Sequence, residues 1–246
     1  MTPVTTALSL VAKKFKVAPY TPHCAVIHDE AAHAVIGVSP GNSYFSAERL
    51  HDLAAWGLAH FDRVDFVYTD LFVAEMHEAC GYPPVQARQK ATKNLRGVRA
   101  KVSNACAQAD PGGERLTWQP MSVFRDNDAY REIHDRLQSL LATDQEFRGA
   151  CEALVSTFLT STTGEAADEA QRAVCLQYVL AEAPLFLDTP AILGVPSSLN
   201  CYHQLLPMAE LLYSRGAGLR ASRNQGHAVV TPAETEGGHD DHSGAA

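Results

Sequence analysis

Short apolar runs bounded by turn residues alternate along this chain with longer stretches that repeat every three to four positions. Residues 34–38 read as a buried strand that runs into Ser39-Pro40-Gly41-Asn42-Ser43, a turn sequence. Ser46 stands just before a periodic stretch, where an N-cap belongs, and predicts a helix over 47–60. Residues 64–68 form the next strand pattern, followed by a helical stretch near 71–79. Strand, helix, strand, helix at this spacing predicts parallel βαβ units. A long helix follows over 84–107, then a short strand near 115–119 and helices over 127–142 and 144–160. Residues 160–167 read as a linker loop and 168–183 as a further helix. A strand over 195–203, a helix over 204–214 and a last strand over 227–231 complete the pattern. The expected fold is α/β, a Rossmann-like parallel sheet flanked by helices, in a single domain over 23–231. Residues 1–22 read as a flexible N-terminal arm. From Pro232 the chain is polar and acidic, with Glu234, Glu236, Asp240 and Asp241 and no Lys or Arg, so 232–246 is expected to be a disordered tail.

Composition narrows the classes. The 246 residues are 46% hydrophobic and 20% charged, which excludes a disordered chain, a fibre and a coiled coil. No apolar run reaches the roughly 18–20 residues that cross a bilayer. Residues 1–20 make a poor signal peptide, because the apolar stretch is short, broken by threonine and followed by its lysines. A cytoplasmic location without a membrane partner is expected. Cys24, Cys80, Cys106, Cys151, Cys175 and Cys201 are spread without a CxxC pair, which reads as free thiols rather than a zinc site or a disulfide scaffold. His239-Asp240-Asp241-His242 could hold a stray metal ion but falls in the tail, and no metal site is expected.

Three segments carry candidate chemistry. Gly37-Val38-Ser39-Pro40-Gly41 matches G-x-S-x-G, the nucleophile elbow of α/β-hydrolases. That elbow uses the N–H after the serine for its oxyanion hole, and Pro40 has none. Ser39 is therefore either a hydrolase nucleophile that lacks this N–H or, more simply, the shaper of a strand-to-helix turn.

The long helix is the second segment. Between Glu78 and Asp110 there is no acidic residue, while Arg88, Lys90, Lys93, Arg96, Arg99 and Lys101 supply six positive charges on a chain of net charge -8. Ala87, Ala91, Leu95, Val98, Val102 and Ala105 fall on one narrow stripe, leaving the cations on the remaining arc. Solvated helices usually mix signs, because like charges four apart repel. The helix is either a solvated face or, because its cationic sign is unbroken, a surface for a polyanion.

Third, Tyr178 and Glu182 stand four apart on one helix face in an apolar context. A half-buried carboxylate there calls for a cation, either a substrate ammonium or an internal arginine. Tyr202-His203 adds a phenol and an imidazole at a strand end. The chain contains no GxxxxGK[ST], no GxGxxG, and neither HIGH nor KMSKS, so nothing reads as a nucleotide site.

Taken jointly, residues 37–45, the strand over 64–70, the basic helix, residues 178–186 and residues 195–203 resemble the cyclodipeptide synthases, in the family's order and across residues 33–231. The resemblance implies a Rossmann-like domain related to the catalytic domain of class I tyrosyl- and tryptophanyl-tRNA synthetases. It implies an enzyme that joins two aminoacyl-tRNAs into a 2,5-diketopiperazine without ATP or any cofactor, by ping-pong catalysis. The family's nucleophile falls on Ser39, and its amino-group ligands fall on Tyr178 and Glu182. Asn42, Tyr202 and His203 match the Asn-Tyr-His subgroup. The first substrate pocket falls on Val35, Gly37, Val67, Leu185 and Asn200, where Asn200 could bond a side chain such as an indole N–H or simply cap a strand. The partners implied are two aminoacyl-tRNAs held on the basic helix, with no DNA, and the chain is expected to be a monomer. A serine hydrolase and a non-catalytic tRNA-binding protein are the competing readings.

Overall fold

The computed structural model describes residues 14–164, 168–216 and 218–233, and its core is organised by one sheet. The strands are β1 (Phe15–Pro19), β2 (His33–Val38), β3 (Arg63–Tyr68), β4 (Leu116–Pro120), β5 (Ser198–Tyr202) and β6 (Gln225–Pro232), in the order β1-β6-β5-β2-β3-β4. Every pairing from β6 to β4 is parallel, and β1 alone runs antiparallel, against β6. The helices are α1 (Pro22–Glu30), α2 (Ala47–His60), α3 (Val73–Ala79), α4 (Pro84–Ala109), α5 (Asp128–Thr143), α6 (Gln145–Thr163), α7 (Glu169–Leu193) and α8 (Pro207–Ser214). No helix among the described residues is long and apolar enough to cross a membrane.

Alternation along the strands gives the sheet two different faces. Ala34, Ile36, Val38, Val64, Phe66, Leu199, Cys201 and Val230 point to one side and pack on Leu50, Leu53 and Trp56 of α2 and on Val98 and Val102 of α4. Each such buried side chain contributes about 1.5–3 kcal/mol. Val35 and Val67 point to the other side, against Ala181, Leu185 and Ile192 of α7. The remaining helices close a third apolar cluster through Leu137, Phe147, Val155, Leu180 and Leu212.

The parallel α/β expectation holds, with the Ser46 hydroxyl accepting the Arg49 N–H at the start of α2 as an N-cap does. Four boundaries differ. The arm expected over 1–22 contains β1, whose Phe15 is buried against Trp56 while Lys16 points outward. Residues 1–13 lie outside the described residues. The linker expected over 160–167 is helical to Thr163, where Gly164 in the left-handed region ends α6, and 165–167 are not described. The helix expected to stop at 183 continues through Pro184 and Pro190 to Leu193, with a break at Asp188. Pro190 has no N–H for the Phe186 carbonyl, and the Tyr213 hydroxyl from α8 donates to that carbonyl at 2.8 Å instead. The tail expected over 232–246 begins inside β6 at Pro232, and its residues from 234, including His239–His242, fall outside the described residues.

Candidate active site

Chain order fixes where a ligand can sit. From β2 the chain steps outward to β3 and β4, then returns to place β5 on the opposite side of β2. In open parallel sheets the crevice lies beyond the carboxyl ends of the strands at that reversal. Ser39 follows the end of β2 and Tyr202 ends β5, and across this crevice the Ser39 Oγ and the Tyr202 hydroxyl share a hydrogen bond of 3.0 Å. Burial, then the nearby Glu182 charge, push the Tyr202 phenol up to about 12, so it stays protonated at neutral pH.

The serine turn is held from both sides. Gly41 has φ of 82°, a conformation that calls for glycine, and a Cβ there would lie 2.7 Å from the Asn94 amide of α4 and push that side chain aside. Asn42 Oδ1 accepts the Tyr44 N–H, and its amide lies 3.4 Å from His203 Nε2. His203 stacks on Tyr44 at 4.2 Å. Burial and then the Arg49 charge lower the His203 pKa, which favours the neutral ring that can accept from Asn42.

Glu182 of α7 faces the same crevice. The Thr69 hydroxyl, just beyond β3, donates to Glu182 Oε1 at 2.5 Å. Burial raises the carboxyl pKa, and hydrogen bonds from Thr69 and Tyr178 only partly offset it. The Tyr178 phenol is driven well above its ordinary value, first by burial and then by Glu182. Among the described residues Glu182 has no basic partner, so the internal arginine left open by the sequence is not there. A carboxylate raised by desolvation is one that an arriving ammonium would stabilise.

Val35, Gly37, Val67, Leu185 and Asn200 line one cleft together with Ser39, Glu182 and Tyr202. Val38, Thr69, Met121, Phe186 and Leu206 complete its wall and were not among the expected pocket residues. Thr69 had a signal, since it directly continues the β3 run; Met121 and Leu206 arrive from distant segments and had none.

The basic helix divides into two sets. Lys101 donates to the Phe45 carbonyl at 2.5 Å, which secures the end of the serine turn. Lys90 donates to the Tyr82 hydroxyl and lies over that ring. Arg99 lies over Trp118 at 5.8 Å. Arg88, Lys93 and Arg96 are exposed, with no acidic partner among the described residues. The expected apolar stripe is present, with Ala87, Ala91, Val98, Val102 and Ala105 buried.

The hydrolase elbow is not assembled: the partner of Ser39 is a phenol rather than a histidine. A Ser-His-Asp set does exist at the opposite end of the strands. His33 lies 2.8 Å from Ser198 Oγ and 2.9 Å from Asp65 Oδ2, and all three residues are buried. All six cysteines are free thiols.

Residues 15–232 match the family model described as Cyclodipeptide synthase. The chain is 60% identical over 220 residues to the cyclo(L-tyrosyl-L-tyrosyl) synthase of Mycobacterium tuberculosis, covering 89% of this chain and 76% of that protein. It is 35% identical over 212 residues to the cyclo(L-leucyl-L-phenylalanyl) synthase of Streptomyces noursei, covering 85% and 88%. A solved Mycobacterium tuberculosis structure, described as demonstrating that cyclodipeptide synthetases are related to type I tRNA synthetases, superposes with a TM-score of 0.85. It is 61% identical and the match covers 90% of this chain and 94% of that one.

Proposed function

This chain belongs to the cyclodipeptide synthase family, whose members form cyclic dipeptides from aminoacyl-tRNAs, and from that membership we propose a ping-pong reaction through Ser39, of the Asn-Tyr-His type, that needs no ATP. An aminoacyl-tRNA is already an activated ester. The Ser39 hydroxyl attacks its carbonyl, an ester to the serine forms, and the tRNA leaves with its ribose hydroxyl restored. The amine of the bound aminoacyl group then attacks the ester of a second aminoacyl-tRNA, forming an amide and releasing the second tRNA. The free amine of the resulting dipeptidyl-enzyme attacks the Ser39 ester, closes the six-membered ring and frees the serine. Splitting the synthesis this way replaces one hard step by easier ones.

The observation that carries the reading is the Ser39–Tyr202 hydrogen bond at the mouth of a cleft that also holds Glu182. Tyr202, kept protonated by burial, relays the proton between the serine oxygen and the incoming or leaving group. Glu182, Tyr178 and Thr69 hold the ammonium of the first aminoacyl group. Asn42 and His203 position the turn. Arg88, Lys93 and Arg96 grip the tRNA backbone, and α4 reaches the serine turn through Asn94 and Lys101.

The first pocket is assigned to a tyrosyl side chain. Its wall is apolar along Val35, Val67, Leu185 and Phe186, with Asn200 as a polar group that can meet a phenol. The 60% identical relative is named for cyclo(L-tyrosyl-L-tyrosyl) synthesis. Mass spectrometry of medium from bacteria expressing the chain, beside a Ser39→Ala control, tests this. A cyclo(Tyr-Tyr) mass present only with the unaltered chain upholds the reading; a different cyclic dipeptide corrects the pocket, and none at all rejects the activity.

A further inference from the structure

Among the described residues His51 and Trp56 each have one buried ring nitrogen without a hydrogen-bond partner, and His227 has two. His227 of β6 is fully buried, and both of its ring nitrogens lack a hydrogen-bond partner. Its backbone is satisfied, since the N–H donates to Cys24 Sγ and the carbonyl accepts from Tyr20. An unpartnered buried polar group costs about 1–3 kcal/mol, so an imidazole here needs a reason beyond filling space.

Its position supplies one. In the parallel ladder His227 is the register neighbour of Asn200, which in turn neighbours Val35. Register neighbours point to the same face of a sheet, with Cβ atoms about 5 Å apart. Asn200 is 5% exposed, lines the cleft, and its side chain has no hydrogen-bond partner among the described residues. The His227 ring lies 5.9 Å from that of Phe186, a cleft residue, and 5.7 Å from that of Tyr213. Two polar side chains without partners thus stand side by side at the wall of the first pocket.

We propose that His227 is a positioning residue for substrate selection: a rotation of the Asn200 side chain, which its present rotamer does not make, lets one ring nitrogen accept the Asn200 amide N–H and turns the Asn200 carbonyl oxygen into the pocket as an acceptor for a hydroxyl on the substrate side chain. This rests on the tyrosyl assignment above and extends it from Asn200 to the layer behind. Burial lowers the His227 pKa to about 4, so the ring is neutral at physiological pH and has a lone pair to offer. A carbonyl fixed in this way meets the phenol O–H of tyrosine and is left unpaired by phenylalanine, and an unpaired buried acceptor is what makes a pocket reject an analogue.

The test is the rate of Ser39 acylation from tyrosyl-tRNA against that from phenylalanyl-tRNA, measured in single turnover for the full chain, for His227→Phe, for His227→Leu, for Asn200→Leu, and for each His227 variant combined with Asn200→Leu. The unaltered chain should favour tyrosyl. Each His227 variant should lower the tyrosyl-to-phenylalanyl ratio roughly tenfold, the effect of one net hydrogen bond, and should add nothing once Asn200 is leucine. His227→Gln, which keeps a donor and an acceptor, should retain most of the preference. A preference that the His227 variants leave unchanged, or effects at 227 and 200 that multiply, overturns the inference while leaving the tyrosyl reading intact. An unaltered chain that takes both substrates equally overturns the tyrosyl reading and the inference with it. Should both apolar variants fail to fold, the unaltered chain decides: ¹⁵N shifts of the His227 ring that differ between tyrosyl- and phenylalanyl-loaded protein uphold the role, and identical shifts refute it.

Discussion

The same face of the sheet carries a serine at each end of its strands, and the two differ in almost everything that matters for chemistry. At the amino end, Ser198, His33 and Asp65 form a hydrogen-bonded set of the kind that defines many hydrolases. At the carboxyl end, Ser39 meets only a phenol. Yet the first set is closed off: Ser198 and Asp65 are 0% exposed and His33 is 1% exposed, Asp65 is also held by Thr117 and Arg63, and none of the three lines the cleft at Ser39. The second opens on a cleft where the strand order reverses. A Ser-His-Asp constellation without access ties strands together, whereas a serine on an open crevice beside a protonated phenol and a buried carboxylate has the groups that the proposed acyl transfer needs.

The sharpest way to break this comparison is to remove each serine. Ser39→Ala should cut cyclic dipeptide formation by at least about a thousandfold, the scale of losing a covalent nucleophile, with thermal stability unchanged. Ser198→Ala should leave turnover per folded molecule near that of the unaltered chain. Product from Ser39→Ala would remove the nucleophile.

Next in size is the closed end. Asp65→Asn leaves His33 facing a lost charge, and should cost about 3 kcal/mol in urea unfolding, as breaking a buried ionic partnership does. Burial alone would raise the Asp65 pKa, but hydrogen bonds from His33 and Thr117 and the charges of His33 and Arg63 hold it below its ordinary 3.8. A lowered carboxyl stabilises the fold above the unfolded value and loses that contribution as pH falls through the folded one. The gap between the unaltered chain and Asp65→Asn should therefore shrink below pH 3.8; a gap independent of pH would deny the buried charge.

At the open end, Glu182→Gln keeps the shape and removes the charge. It should slow Ser39 acylation about a hundredfold, the order of a charged hydrogen bond in a desolvated site, with stability unchanged or raised. Equal rates would show that the ammonium is held elsewhere.

The smallest effect concerns the approach of the substrate. Replacing Arg88, Lys93 and Arg96 by alanine should weaken aminoacyl-tRNA binding roughly tenfold and make the log–log salt dependence shallower by about two to three. Lys101→Ala should leave that slope nearly intact and lower turnover, because Lys101 donates to the Phe45 carbonyl at the end of the serine turn. Equal slopes for the two variants would erase the distinction within α4.

These differences track what could be read from the sequence. Strands β2 and β3, the Ser46 cap and the stripe of α4 were legible because each is a local pattern. The cleft residues Val35, Gly37, Val67, Leu185 and Asn200 were legible through the resemblance. β1 was not, because an edge strand shows itself only when β6 arrives at the far end of the described chain to pair with it. The run of α7 through Pro190 was not, because the Tyr213 hydroxyl that compensates the missing N–H comes from another helix. His33, Asp65 and Ser198 were invisible as a set because three separate strands bring them together, and the division of labour among the α4 cations depends on which carbonyl or ring each one meets.

The most direct measurement is the mass of the protein itself. The purified chain is mixed with tyrosyl-tRNA, quenched in acid within seconds and digested. A tyrosyl adduct on the peptide containing Ser39, absent from Ser39→Ala and absent from the Ser198 peptide, is the predicted result. An adduct on another residue, or cyclic dipeptide accumulating with no adduct at Ser39 at any time, would contradict the covalent route.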